Sequence, residues 1–261
     1  MSVGRALRDR LVLAVAALVA WQLAALVFGA HWVPSPLVTG RRFFQLVATG
    51  ELLRHSLFTL AAAGGGFLAG GVPGAVLPFL LRRAPRVAAI IDPYLIAGYG
   101  MPKLALAPLF ILWFGIGLAS KVALVASIVF FLIFFSTAAG VRGADVRLVA
   151  MARVAGASER AVARHVVWPG AVPYIFTGLK ISLSYSIGAA VVGELISSNR
   201  GLGYLIQAAA NDFDSTTVFA GLIALTILVV AVSELVTVAE RRLLSWRPAD
   251  AEPERRLVAA A

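Results

Sequence analysis

Met151-Ala-Arg-Val-Ala-Gly-Ala-Ser-Glu-Arg160-Ala-Val-Ala-Arg-His-Val-Val-Trp-Pro-Gly170-Ala-Val-Pro-Tyr-Ile-Phe-Thr-Gly-Leu-Lys180 is the stretch on which the reading of this chain turns. Its first half is basic and rich in small residues, and its second half is apolar. Asp145, just upstream, suits the N-cap of a short helix from Val146 to Ala155, and Gly156 suits a left-handed terminator. Ser158 caps a second helix, with Glu159 in its first turn where the helix dipole favours an acid. That helix is expected to stop at Trp168, because Pro169 disfavours helical geometry in the residue before it. Pro173 then opens an apolar span, where a missing N–H costs little. The prediction is two short helices meeting near Gly156, with Arg153, Arg160 and Arg164 beside small and apolar groups. A positively charged loop would explain the arginines, but not the ordered run of cap, Gly stop, second cap and Pro stop. The stretch therefore reads as a seat for a partner.

The surroundings make that seat conspicuous. The 261-residue chain is 60% hydrophobic and 14% charged, with a mean hydropathy of +0.90. Soluble domains are about 45–50% apolar and about 25% charged, so this composition belongs to the membrane class. Apolar runs near 11–30, 55–81, 92–117, 121–141, 173–194 and 217–239 are each long enough to cross a bilayer, which takes about 20 residues. The expected fold is all-α and polytopic: one domain over 1–261, with a core at about 49–240 and a polar loop at about 142–172. The run after Arg5, Arg8 and Arg10 exceeds the about 7–15 residues of a signal-peptide core and reads as an uncleaved span. The second span carries Gly64, Gly65, Gly66, Gly70, Gly71 and Gly74, small residues that let helices approach closely. The third is interrupted by Pro93, Pro102 and Pro108, breaks that persist in a membrane where protein or a wet cavity satisfies the backbone. No cysteine is present, which excludes disulfides and thiolate chemistry.

The net charge of +10 is a matter of placement. Sixteen arginines fall at the two termini and in the connections after the second and fourth spans. Five basic residues, Arg41, Arg42, Arg54, Lys121 and Arg200, fall on the other side; Lys103 and Lys180 lie within or at the edge of spans. The positive-inside rule puts both termini and the 142–172 loop in the cytoplasm, and six spans agree with that. Nucleic acid is not implied. After Arg41 and Arg42, the residues Phe43, Phe44, Leu46 and Val47 recur at helical spacing and suggest an interfacial helix on the outer face.

The polar stretch resembles the signature loop of permease subunits of binding-protein-dependent ABC importers. The Glu-Ala-Ala opening of that signature aligns with Ala150-Met151-Ala152, its glycine with Gly156, and its Ile-x-Leu-Pro close with Val166-Val167-Trp168-Pro169. The first Glu is replaced by Ala150 and the usual Leu by Trp168; Gly156, Ala157, Ser158 and Pro169 remain. Met101-Pro102-Lys103-Leu104-Ala105-Leu106-Ala107-Pro108-Leu109-Phe110-Ile111-Leu112-Trp113-Phe114-Gly115-Ile116-Gly117 with Ser120-Lys121-Val122 is similar to the nitrate/sulfonate/taurine-type members. So are Gly50-Glu51-Leu52-Leu53, Gly193-Glu194-Leu195-Ile196 and Gly201-Leu202-Gly203-Tyr204. The resemblance runs from about Thr49 to Tyr204. It implies a prokaryotic cytoplasmic-membrane importer in which two permease copies form one pathway. Each signature helix would sit in a groove of a separate ATP-binding subunit, and an external binding protein would deliver the solute. Arg153, Gly156, Ala157, Ser158, Arg160 and Pro169 would form the ATPase-coupling seat, with ATP and Mg on the partner and no cofactor in this chain.

The remaining residues agree with a transport subunit and not an enzyme. No G-x-x-x-x-G-K-[ST] string occurs, and Gly64-Gly65-Gly66 lies inside a span without its lysine. His31, His55 and His165 lack metal-ligand spacing. Asp92 before Pro93 is read as the start of the third span. Tyr99, Lys103 and Glu194 are the candidates for the translocation path. Lys103 is a charge at membrane depth that would favour a small anion such as a sulfonate or nitrate, or would instead snorkel or close a helix end. Glu194 would close an outer gate or, more simply, mark the water boundary. An ion-coupled secondary transporter, with the broken third span as its site, is the alternative.

Overall fold

A computed structural model describes residues 3–243, with side chains over 8–238; Arg247, Arg255 and Arg256 lie outside the described residues, as do the side chains of Arg5, Arg241 and Arg242. The chain begins with α1 (Val3–Phe28), an apolar helix that buries only Ala25 among its described side chains. The Trp21 indole ties it to the next connection by donating to the Pro34 carbonyl at 3.0 Å. The helix expected around Phe43–Val47 is present as α2 (Pro36–Ala48), opened by the Ser35 side chain and Pro36 at its first position. This order of N-cap and proline suits a helix start, where the first N–H groups have no partner. Leu46 is its buried anchor, and Arg42 Nε donates to Thr217 Oγ1 at 2.8 Å.

Three long helices form the centre: α3 (Glu51–Arg83), α6 (Leu118–Arg142) and α9 (Trp168–Ile196). Ala62, Ala63, Val125, Val129, Ile133, Ile187 and Ala190 interdigitate there. Between apolar helices in lipid the hydrophobic effect gives little drive, so close packing must supply it. The glycine run of α3 does so along one ridge. A Cβ on Gly66 would lie 2.3 Å from Val125 Cβ, one on Gly70 2.3 Å from the Ala126 carbonyl oxygen, and one on Gly74 2.7 Å from that of Phe130. Gly64 faces open space and takes no part. The α6 backbone thus lies directly on α3.

Between α3 and α6 the chain forms α4 (Pro85–Gly100), a 3-10 turn at Lys103–Leu106 and α5 (Ala107–Phe114), and the two helical arms bend by 85°. Pro93 is absorbed within α4, whereas Met101 turns extended before Pro102 and ends it. A proline disfavours helical backbone in the residue before it, which is why the break falls here. Asp92 does not open a span: it sits inside α4 and pairs with Arg142 at the end of α6, at 2.9 and 3.0 Å.

Past α6 come α7 (Val146–Val154) and α8 (Glu159–Val162). The second helix does not stop at Trp168. It passes through a single π turn at Ala163–Val167 and continues into α9, with Pro169 in the first turn of that helix and Pro173 inside it. The Trp168 N–H reaches back to the Ala163 carbonyl, one residue further than an α-helix allows. This wider turn restarts the helix at Trp168, where the missing N–H of Pro169 falls among groups that lack α-helical partners anyway. The chain ends its described course with α10 (Leu202–Asn211) and α11 (Ser215–Leu243). Among the described residues, five helical stretches are long and apolar enough to cross a membrane, and the bent α4–α5 pair makes a sixth if its two arms count as one span.

Candidate functional site

The elbow between α7 and α8 is built almost wholly from local contacts. Asp145 Oδ1 accepts the Arg147 amide at 2.8 Å. At the other end of α7, Gly156 adopts φ +83°. Its amide donates to the Arg153 carbonyl at 2.9 Å, and the Ala157 amide donates to the Ala152 carbonyl at 3.0 Å. These paired bonds close the last carbonyls of a helix through a left-handed residue, a conformation that costs a β-carbon about 1–2 kcal/mol. Ser158 Oγ accepts the Ala161 amide at 3.3 Å, and Arg153 Nε meets Glu159 Oε1 across the corner at 2.7 Å. This bond holds the Arg153 guanidinium above its ordinary pKa.

The underside of the elbow is apolar and enclosed. Val141, Val162, Val167 and Ala171 are buried there, with Val149, Ala152 and Ala157 packed against them. Its outer side is the reverse. No side chain of α7 is buried, and Val146, Met151 and Val154 are 78%, 67% and 91% exposed. Arg160 and Pro169 are also exposed. Five of the six residues assigned to this seat from the sequence therefore lie on or beside one corner; Pro169 stands beyond the π turn.

Tyr99 and Lys103 come together at the break after α4. The Lys103 ammonium donates to the carbonyls of Tyr99 (2.8 Å) and Met101 (3.3 Å) and lies 4.5 Å from the centre of the Phe131 ring. Its charge thus closes the C-terminal end of α4, where cations are favoured, and rests on an aromatic face. The Tyr99 ring packs 4.8 Å from Phe135. An apolar recess of about 400 Å³ lies between the 3-10 turn, α6 and α9, lined by Leu104, Ile128, Tyr185 and Gly188 among others.

Glu194 is elsewhere, and it does not mark a water boundary: it is 1% exposed. Its Oε2 accepts the Thr59 hydroxyl at 3.0 Å and the Gly203 amide at 2.9 Å. Thr59 Oγ1 also accepts the Leu202 amide (2.9 Å), and His55 Nδ1 accepts the Gly201 amide (3.0 Å). Gly201 adopts φ +108°, and a Cβ there would lie 2.1 Å from the Glu194 carboxyl carbon. Nearby, Lys121 is 1% exposed and not a solvent-facing topology charge. Its ammonium donates to the Ile116 carbonyl (2.7 Å), the Ser197 carbonyl and Ser120 Oγ. A buried amine is tolerable when it is hydrogen-bonded in this way. His55, Thr59 and Lys121 were not among the sequence candidates. For Lys121 a signal is present in the quoted strings, since Gly193-Glu194, Gly201-Leu202-Gly203 and Ser120-Lys121 meet in this one knot; His55 and Thr59 lie in none of them.

On the same face as the knot, Asp214 joins α11 to α2 through Thr217, whose amide it accepts at 3.0 Å. Burial raises the Asp214 pKa, but the Thr217 hydroxyl and amide, the Arg42 charge and the Thr216 amide together bring it below the ordinary value.

Residues 64–245 match the family described as "Binding-protein-dependent transport system inner membrane component". The riboflavin transport system permease protein RibX of Chloroflexus aurantiacus is 35% identical over 231 residues, 88% of this chain and 86% of that protein. A putative aliphatic sulfonates transport permease protein, SsuC of Bacillus subtilis, is 35% identical over 221 residues, 85% of this chain and 80% of the other. Among solved structures, a chain of the inward-facing MetNI methionine ABC transporter superposes with a TM-score of 0.63 at 20% identity, covering 73% of this chain and 95% of its own. That match bears on the fold alone.

Proposed function

We propose that this chain, which belongs to the family of binding-protein-dependent transport system inner membrane components, is half of the membrane pathway of an ATP-driven importer. A second permease copy supplies the other half. The elbow faces the cytoplasm together with both termini, and it seats in a separate ATP-binding subunit that carries ATP and Mg. An external solute-binding protein delivers the solute to the opposite face.

The observation that carries the reading is the elbow itself. A nine-residue helix with no buried side chain and an outward apolar face has no reason to be so firmly capped unless it is a seat. The arginine majority on that end supports the cytoplasmic orientation. The broken α4–α5 pair would also suit an ion-coupled carrier, but the family match and the elbow favour the ATP-driven reading. For the solute, the proposal is a small organic anion of the sulfonate class. Lys103 at the break and the sulfonate permease among the relatives support it.

The test is ATP-dependent uptake by proteoliposomes holding this chain, its ATPase and its binding protein, with a labelled alkanesulfonate and riboflavin compared. Uptake that requires ATP and ceases in Val154→Asp, with the chain still inserted, is the expected result. Uptake driven by an ion gradient without the ATPase would refute it, and uptake of riboflavin alone would refute the anion assignment.

A further inference from the structure

Beneath the elbow lies a crevice of about 530 Å³ between the ends of α3 and α6, the start of α4 and α7. Its walls are apolar, formed by Leu81, Ala88, Phe134, Ala138 and Val149, and its rim carries Arg82 and the Asp92–Arg142 pair. Arg82 also lines a second cavity, of about 610 Å³, with Arg83, Arg153, Glu159 and Arg160. Within that group Glu159 is taken by Arg153. Asp92 is likewise taken by Arg142. Arg82, Arg83 and Arg160 join no ion pair among the described residues.

The depth of this crevice matters. Arg82 and Arg83 end one apolar span and Arg142 ends another, which puts the Phe134–Ala138 part of its wall toward the hydrocarbon and its α7 side, with Val149, at headgroup depth. Arg82 feels the Glu159 charge without pairing to it, and arginines outnumber carboxylates around the mouth. An apolar slot under such an excess of cations is complementary to an anionic amphiphile. We propose that the crevice binds one anionic phospholipid, with an acyl chain against Phe134 and Ala138 and its phosphate at Arg82. Basic pockets between membrane helices on the cytoplasmic side are suited to anionic headgroups. Val149 of α7 is part of the wall, so the bound lipid braces the elbow from beneath. This inference needs only that the chain spans a membrane with its arginine-rich end in the cytoplasm, and it stands apart from the transport reading.

The experiment is native mass spectrometry of the full chain with phosphatidylglycerol or phosphatidylcholine added in detergent. The wild-type chain is expected to retain one phosphatidylglycerol about ten-fold more readily than phosphatidylcholine. Arg82→Gln, at a half-buried residue, should weaken that retention about five-fold, the worth of one cation near an anionic surface. Ala138→Leu fills the slot and keeps every charge, and it should also abolish the preference. Equal retention of the two lipids by the wild-type chain overturns the proposal. So does retention unaffected by Ala138→Leu but displaced by inorganic phosphate, which would mark a bare anion site at the arginines. If no lipid is retained and Ala88→Glu disrupts a dimer of this chain, the crevice belongs to a second copy and the proposal also fails.

Discussion

At the Ser158 end of the continuous α8–α9 helix, side chains and caps find partners no more than six residues away. At the Glu194 end, the partners of Thr59 and His55 are 135 to 146 residues away. The elbow is a preformed corner that holds its shape through caps and leaves its apolar side uncovered. The knot is a tertiary lock that joins α3, α6, α9 and the start of α10 through buried side chains. Locally closed groups tolerate change at the surface, whereas buried polar groups that depend on one another do not. Damage at the knot should therefore appear as lost folding, and damage at the elbow as lost partnership with the fold intact.

The strongest way to break that contrast is Gly201→Ala. The new methyl would meet the Glu194 carboxyl and take a left-handed backbone, combining overpacking of about 1–3 kcal/mol with about 1–2 kcal/mol of strain. A drop in thermal midpoint in detergent, with poor expression, is expected, and an unchanged midpoint would show that the knot is soft. Lys121→Met should come next. It removes charge-assisted hydrogen bonds to the part-buried Ile116 and Ser197 carbonyls, at about 1.5–3 kcal/mol each. Its thermal midpoint should fall while any correctly folded fraction still co-purifies with the ATPase.

Gly156→Asp should show the opposite pattern. Its strain is about 1–2 kcal/mol, and no neighbour lies within 4 Å of a β-carbon placed there. Insertion should survive, with ATPase co-purification or coupling reduced; normal uptake would refute the docking role. Lys103→Met should cost about 1 kcal/mol or less in stability, since it loses two hydrogen bonds at an exposed helix end. A fall in anion uptake larger than the thermal shift would place its charge on the path.

The smallest effect is one of pH. The Asp214 pKa is depressed in the folded chain, so its contribution is complete above the ordinary value of about 3.9 and is lost as pH falls through the folded pKa. Asp214→Asn should flatten the acid limb of the stability profile below about pH 4 and leave neutral pH nearly unchanged. Thermal scans across pH would check this.

The same contrast explains what could be read from the chain alone. The spans and the elbow corner were legible because hydrophobic runs, Asp145, Gly156 and Ser158 act over a few residues. Pro169 misled, since a proline is compatible with either a stop or a restart, and the π turn that decides between them leaves no local mark. Lys121 was counted as an outer surface charge because its acceptors, the Ile116 and Ser197 carbonyls, are backbone groups that every residue carries. His55 and Thr59 look like isolated polar residues at the head of α3. Only the fold brings them to Gly201 and Leu202.

The missing stop at Trp168 has a mechanical consequence. From Glu159 to Ile196 the chain is one helical stretch of 38 residues, about 57 Å at an α-helical rise. A torque applied at Ser158 meets no flexible joint before Glu194, so the knot and the elbow are the two ends of a single crank. The π turn, with Pro173 shortly after it, is where a slip of a residue in register would let the handle rotate without turning the shaft.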